Sequence, residues 1–196
     1  MRRASFSLLL CFLACLTWAQ TSNQGPYEQQ LDADKLLKLR LHAGEYKVVP
    51  GKSDALVVVY RTKRAEDLKR VHIRFDARPA ENLLVMEGPT NYSVRIEVPR
   101  QSDLYVRMTA GDLNIGRVEG NKDIELHAGD LNIDGFYPED YGKVDLSVQI
   151  GDVTARPLNI YKGGFWRKQR VTGPGKYHLH AHVGVGDLTL HAPEVI

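Results

Sequence analysis

Three histidines alternate with apolar residues near the end of the chain, at His178, His180 and His182. Residues two apart in an extended strand share one face, so the sequence predicts three neighbouring imidazoles. Imidazole binds zinc and copper, which makes the triplet a candidate metal site for a periplasmic metal-binding or envelope-stress accessory protein. The competing interpretation is a solvated histidine face opposite a buried apolar one. Between the two we expect the solvated face, with no bound metal and no other cofactor.

Several acidic residues each directly follow a glycine, and they could bind calcium or cap the backbone. Calcium-binding β-rolls place such residues at nonapeptide spacing, and this chain does not. A short carboxylate after a glycine can instead accept hydrogen bonds from backbone N–H groups in a tight corner. The sequence therefore predicts structural corners rather than a calcium site. The predicted corner residues are Gly44, Gly111, Asp112, Gly129, Asp130, Gly151, Asp152, Gly186 and Asp187.

A third candidate lies in residues 156–175, which interrupt the repeated pattern of the chain. Aromatic and cationic side chains occur together there, a mixture typical of binding hot spots and of contacts with sugar or phosphate groups. The predicted binding residues are Phe165, Trp166, Arg167, Lys168 and Arg170. The alternative is a surface hairpin whose tryptophan folds back on the core. A cell-surface glycan or an envelope protein is the expected partner.

Catalysis finds no support in the motifs. The chain contains no Gly-x-Ser-x-Gly elbow, no phosphate-binding Gly-x-x-x-x-Gly-Lys loop and no His-Glu-x-x-His. Both cysteines, Cys11 and Cys15, lie in the first 19 residues, so the rest of the chain has no thiol nucleophile. We predict no catalytic residues and no enzyme. Because carboxylate pairs are frequent, a polysaccharide-acting β-helix enzyme stays as the third interpretation.

Five stretches of the chain repeat one unit of apolar alternation around a glycine, at Gly44, Gly111, Gly129, Gly151 and Gly186. In every unit the residues five, three and one before the glycine, and two and four after it, are apolar. A period of two predicts a β-strand on each side, and the odd step across the glycine requires a bend. One unit cannot bury its apolar face alone. We therefore predict an all-β, β-helix- or solenoid-like fold of stacked short strands, with a β-rich N-terminal part.

Residues 1–19 have the pattern of a secretory signal peptide, with Arg2 and Arg3 before a short apolar run and small residues at 17 and 19. Export to the periplasm, the cell surface or the medium is predicted, and a lipid anchor at Cys15 is the competing interpretation. Arg2 and Arg3 account for the formal net charge of +2, so the neutral mature chain gives no case for binding nucleic acid or an anionic membrane. We also expect no integral membrane protein, because the apolar run is too short to span a bilayer in the usual way. We divide the rest into a flexible lead-in, 20–33, and a single domain, 34–196, with an insertion loop at 156–175.

The Gly-Asp strands resemble the bacterial putative-adhesin family of β-strand-repeat proteins, a domain of unknown function. The residues that carry the resemblance are 96–99 (Ile-Glu-Val-Pro), 110–115 and 128–133 (both Ala-Gly-Asp-Leu-Asn-Ile), and 184–188 (Gly-Val-Gly-Asp-Leu). The likeness spans about 34–192. It implies a stacked-strand fold and brings no catalytic residues. We expect an exported, non-catalytic binding or structural module that could also self-associate through an edge strand.

Overall fold

The computed structural model describes residues 27–31 and 35–193. These residues form an all-β fold, as predicted, with three short 3-10 helices at Ala65–Arg70, Pro138–Asp140 and Arg156–Leu158. The strands are β1 (Tyr27–Gln30), β2 (Leu36–Leu41), β3 (Gly44–Pro50), β4 (Ala55–Thr62), β5 (His72–Ala77), β6 (Glu81–Glu87), β7 (Tyr92–Val98), β8 (Leu104–Ile115), β9 (Lys122–Ala128), β10 (Leu131–Ile133), β11 (Tyr141–Ala155), β12 (Ile160–Thr172), β13 (Tyr177–Val185) and β14 (Leu188–Leu190). No helix in these ranges has the length and apolar character needed to cross a membrane.

Each repeated unit supplies two strand segments that meet at its glycine. The segments before the glycine, with β6 added beside β2, pair in the order β6–β2–β8–β9–β13–β11, which we call the first ladder. The segments after the glycine, with β7 added beside β3, pair in the order β7–β3–β8–β10–β14–β11, the second ladder. All of these pairings are parallel. Strands β8 and β11 run unbroken through the bend and therefore belong to both ladders.

The hydrogen-bonded strands close on themselves through β8–β9–β13–β11–β14–β10 and back to β8. The fold is a closed, six-stranded parallel barrel with further strands added beyond β8 and beyond β11. The predicted β-helix or solenoid is therefore wrong. A solenoid stacks its units in chain order, whereas here the last unit, β13 and β14, lies between β9/β10 and β11. The antiparallel return of β12 along β11 brings the chain back and makes this insertion possible.

Burial follows the repeat except at the residue just before the glycine. Residues five and three before it, and two and four after it, are at most 4% exposed in all five units. The residue directly before the glycine is partly or fully exposed, and Ile150 and Val185 at this position are 47% and 51% exposed. The apolar lining predicted as continuous thus turns outward at the corner. The odd step across the corner leaves this one residue outside the core.

Strands also occur inside the lead-in and the insertion loop that we delimited from the sequence. Tyr27–Gln30, inside the expected lead-in 20–33, pairs antiparallel with β4 as β1. Ile160–Thr172, inside the expected insertion loop 156–175, is the long strand β12. The predicted signal peptide, 1–19 with its Cys15, lies outside the described residues.

Two buried tyrosines link β3 and β7 at the end of the molecule opposite β12. The hydroxyls of Tyr46 and Tyr92 hydrogen-bond to each other, and their rings meet edge to face at 5.6 Å. Both side chains are at most 1% exposed. Burial raises the pKa of both phenols above the ordinary value of 10.0.

We expect stability to fall as the pH rises above about 10, because the unfolded chain then loses tyrosine protons that the folded chain keeps. Replacing both Tyr46 and Tyr92 by Phe should remove their share of this loss. Replacing Tyr46 alone leaves the Tyr92 hydroxyl buried without a partner and should cost about 1–3 kcal/mol. Urea unfolding of the three proteins between pH 8 and 11 tests both points. The same alkaline loss in the wild type and the double variant would contradict the assignment.

Candidate functional site

The predicted corner glycines are neighbours on adjacent strands and form a single column along the bend between the two ladders. A Cβ on Gly111, Gly129, Gly186 or Gly151 would collide with the carbonyl oxygen of the preceding glycine in the column, starting from Gly44. The four have positive φ, between 106° and 136°, a region in which side chains are strained. The column order, Gly44–Gly111–Gly129–Gly186–Gly151, is the strand order of the ladders and not the order of the chain. Because glycine has no side chain, neighbouring strands can approach each other closely at the bend.

The aspartates that follow these glycines bond from one corner to the next. Asp130 Oδ1 accepts the backbone N–H of Asp187 at 3.1 Å, and Asp187 Oδ1 accepts that of Asp152 at 2.9 Å. Two of the four carboxylates that the calcium interpretation would need, those of Asp130 and Asp187, thus cap the backbone. At the first corner Glu45 stands in place of aspartate and accepts a hydrogen bond from Ser93 Oγ at 2.8 Å.

The three histidines of β13 lie on the outer face of the first ladder, but each has different surroundings. His182 is partly buried, and its Nδ1 lies 2.8 Å from Ser147 Oγ on β11. Burial lowers the pKa of His182 below its ordinary value. The backbone N–H of His178 donates to Asn121 Oδ1 at 2.9 Å. Among the described residues, the group close enough to share a metal is instead His180 with Asp123 and Glu125, whose ligand atoms lie within 4.8 Å of one another.

An arginine that sequence reasoning did not single out already occupies that cluster. Arg107 Nη2 lies 2.8 Å from Asp123 Oδ1, and its Nε lies 3.0 Å from Glu125 Oε2. Its guanidinium stacks over the ring of Tyr105 at 3.6 Å. A metal ion would have to displace this cation from both carboxylates, so the geometry favours an ion-pair network. The sequence could not reveal this network, because Arg107 lies on β8 and its partners lie on β9, and the pairing of these strands was not predicted.

The exposed large apolar side chains of the described residues gather at one edge of the molecule, along β12 and the neighbouring corner. We call them the edge patch: Ile150, Tyr161, Phe165, Trp166 and Val185, which are 47%, 72%, 68%, 77% and 51% exposed. Ile150 is in register with Phe165 on β12 and with Val185 on β13. The patch therefore crosses three adjacent strands. Exposed apolar patches of this kind typically mark binding surfaces.

The backbone holds Trp166 in an unusual conformation. Its φ is +53°, in the left-handed region that few residues other than glycine adopt. The Nε of Arg167 donates to the carbonyl oxygen of Gly163 at 2.8 Å and braces this turn. The tryptophan points to solvent, so it does not fold back on the core. A strained, braced and exposed aromatic residue is typical of functional positions.

The predicted binding residues of β12 differ in how they are engaged. The strand carries four cations and no acidic residue. Arg170 Nε lies 2.5 Å from Asp145 Oδ1, and this hydrogen bond holds the pKa of Asp145 below its ordinary value. Lys168 is in register with Ser147, on the face that carries His182. Within the described part of the chain β12 pairs with β11 alone, so its other edge is open.

Comparison with known proteins identifies a fold relative and no sequence family. The chain resembles a putative cell adhesion protein from Clostridium sporogenes, with a TM-score of 0.52 and 12% identity, over 87% of this chain and 100% of that one. It is also similar to a putative adhesin from Parabacteroides merdae, at 10% identity over 88% of this chain and 82% of that one, but that TM-score of 0.27 carries no argument. No protein-family model and no curated protein matches the sequence. The first likeness shows a shared fold.

Proposed function

We propose that this chain is an exported, non-catalytic, adhesin-like module that binds a cell-surface glycan through the edge patch and the cations of β12. The observation that carries the proposal is the concentration of exposed apolar side chains on one edge of the fold. The name of the Clostridium sporogenes protein supports a role in adhesion, and residues 1–19 support export.

The edge is suited to sugar because it offers flat aromatic faces between hydrogen-bond donors. Tyr161, Phe165 and Trp166 can stack against the apolar face of a sugar ring, while Lys162 and Lys168 contact its oxygens. Pairing of β12 with β11 from Lys143 to Ala155 holds the strand rigid, so little conformational entropy is lost on binding. The four cations oppose edge-to-edge pairing with a second β12, which favours an exogenous ligand over self-association.

A Trp166→Ala substitution should weaken glycan binding at least about tenfold, because central aromatic side chains dominate such contacts. Its melting temperature should stay close to that of the wild type, since the side chain is 77% exposed and outside the core. Both proteins are measured on a glycan array, and the retained glycans are then checked for shortening.

Arg61→Ala is the matched control, because Arg61 is exposed on β4, which pairs with β7 at the end of the second ladder opposite β11. It should bind like the wild type. Unchanged binding by Trp166→Ala, or no glycan retained by the wild type, would refute the proposal. Shortened glycans would replace binding by a hydrolytic function.

A further inference from the structure

A groove of about 730 Å³ lies on the outer face of the first ladder. One end of it borders the edge patch, because its lining residues Gln149 and Gly184 directly precede Ile150 and Val185. Small-molecule sites usually have volumes of about 300–1,000 Å³. Its lining includes outward residues of β2, β8, β9, β13 and β11, with a wall from β5 and β6. Three arginines and three histidines line it, against two glutamates.

One of the two glutamates of the groove already has a counter-ion. Glu125 is paired with the Nε of Arg107 at 3.0 Å. The Nη1 of Arg107 also donates to the carbonyl oxygens of Val106 at 2.9 Å and Asp123 at 3.1 Å. These contacts use the donors of Arg107 within the protein. Arg107 therefore builds the floor of the groove and leaves little capacity for a ligand.

Arg40 differs from Arg107 although the two are direct neighbours across β2 and β8. The Arg40 side chain is exposed and makes no hydrogen bond or ion pair with any described residue. Arg107 is compensated by Asp123 and Glu125, whereas Arg40 has no such counter-ion among the described residues. The guanidinium fork of Arg40 is therefore free to donate two hydrogen bonds to an anion. This end of the groove is thus built for a carboxylate or a similar group.

The other end of the groove offers neutral polar groups. His182 is hydrogen-bonded to Ser147, and its Nε2 lies 3.4 Å from the side-chain nitrogen of Gln149. An imidazole and a primary amide can both donate to and accept from hydroxyl groups. Val85 and Met108 contribute apolar atoms to the lining. One end thus offers a cation and the other offers neutral hydrogen-bonding groups, with apolar surface along the lining.

We infer that this groove is a binding site for a short oligosaccharide of sugar acids, with a carboxylate of one ring on Arg40 and the hydroxyl groups of another ring toward His182 and Gln149. More than one ring is required because β2 lies three strands from β13 and four from β11 in the first ladder. A carbohydrate carrying one carboxylate per ring has all three features that the groove recognises. The site shares no residue with the edge patch, so the inference stands independently of the proposed function.

Isothermal titration of the full mature chain with trigalacturonate, and with neutral maltotriose, tests the inference. We expect trigalacturonate to bind and maltotriose to bind at least about tenfold more weakly. Arg40→Gln should weaken trigalacturonate binding about tenfold or more, without loss of stability, because the side chain is exposed. Arg61→Gln, an exposed arginine on β4, should bind like the wild type.

Three results would overturn the inference. These are no binding of trigalacturonate, equal binding of maltotriose, or equal affinities for the Arg40→Gln and Arg61→Gln variants. The Trp166→Ala protein separates the two sites, because it should keep full affinity for trigalacturonate. A matching loss in that variant would place the sugar acid on the edge patch and remove the groove as its site.

Discussion

Substitution of Gly129 by alanine is expected to abolish cooperative folding, with a loss of more than about 4 kcal/mol. Gly129 has a φ of +124°, where a side chain alone costs about 1–3 kcal/mol. The added Cβ would also collide with the carbonyl oxygen of Gly111 in the adjacent strand. That oxygen belongs to the backbone, so relief requires moving two paired strands apart. A single methyl group thus breaks both ladders at once.

Gly116→Ala is the matched control, because a Cβ there would have its nearest neighbour, Val49 Cγ1, at 3.4 Å and the φ is not positive. Its stability should equal or exceed that of the wild type by up to about 1 kcal/mol. Chemical unfolding followed by far-ultraviolet circular dichroism measures both variants. A Gly129→Ala protein that unfolds cooperatively near the wild-type midpoint would contradict the column as a packing requirement.

The second large effect concerns Lys122, a lysine that is only 3% exposed at the start of β9. Its Nζ donates to the Tyr141 hydroxyl at 2.8 Å and to the carbonyl oxygen of Gly120 at 3.1 Å. Burial lowers the pKa of Lys122 from 10.5 to about 8. The charged form is therefore disfavoured in the folded protein relative to the unfolded chain.

Between pH 8 and 10.5 the unfolded chain binds more protons at Lys122 than the folded chain does. Stability from this residue should rise with pH across that window, by about 3 kcal/mol in total. A Lys122→Met variant should lack this rise, so its stability relative to the wild type should fall as the pH increases. The difference between the two proteins is the quantity to measure, because the buried tyrosines Tyr46 and Tyr92 contribute their own pH dependence in both.

Urea unfolding at pH 7.5, 9 and 10.5 measures that difference. Lys63→Met, at an exposed lysine just after β4, controls for the loss of a lysine as such. The wild type and the Lys122→Met variant should diverge with pH, whereas the wild type and Lys63→Met should not. A constant difference between wild type and Lys122→Met would show that burial does not perturb Lys122.

The alternation of apolar residues was sufficient to predict strands and most of the core. Positions such as Leu126 and Leu131, on either side of Gly129, are fully buried as their spacing requires. The residue before each glycine was wrongly predicted to be buried, because the period of two applies only to an unbent strand. Ile150 and Val185 were therefore predicted in the core, and in the fold they lie on the surface.

Strand order could not be predicted, because the five units present nearly the same apolar face. Nothing in that pattern tells β13 to pair with β9 and β11 rather than to continue beyond β11. The candidate site likewise has one part that the sequence predicted and another that depends on strand order. The composition of β12 pointed to Trp166, whereas the pairing of Arg107 with β9 and the isolation of Arg40 depend on which strands become neighbours.

The position of the last unit also constrains how the chain can reach its native state. Strands β13 and β14 insert between β9/β10 and β11, so the barrel cannot close until the final twenty or so residues are available. Folding cannot propagate from the N-terminus in the manner of a growing coil. Most pairings join segments distant in the chain, a topology associated with slow folding. A chain delivered N-terminus first would therefore keep open strand edges until β13 and β14 arrive. Aggregation and proteolysis should be most rapid in this interval, before the barrel closes.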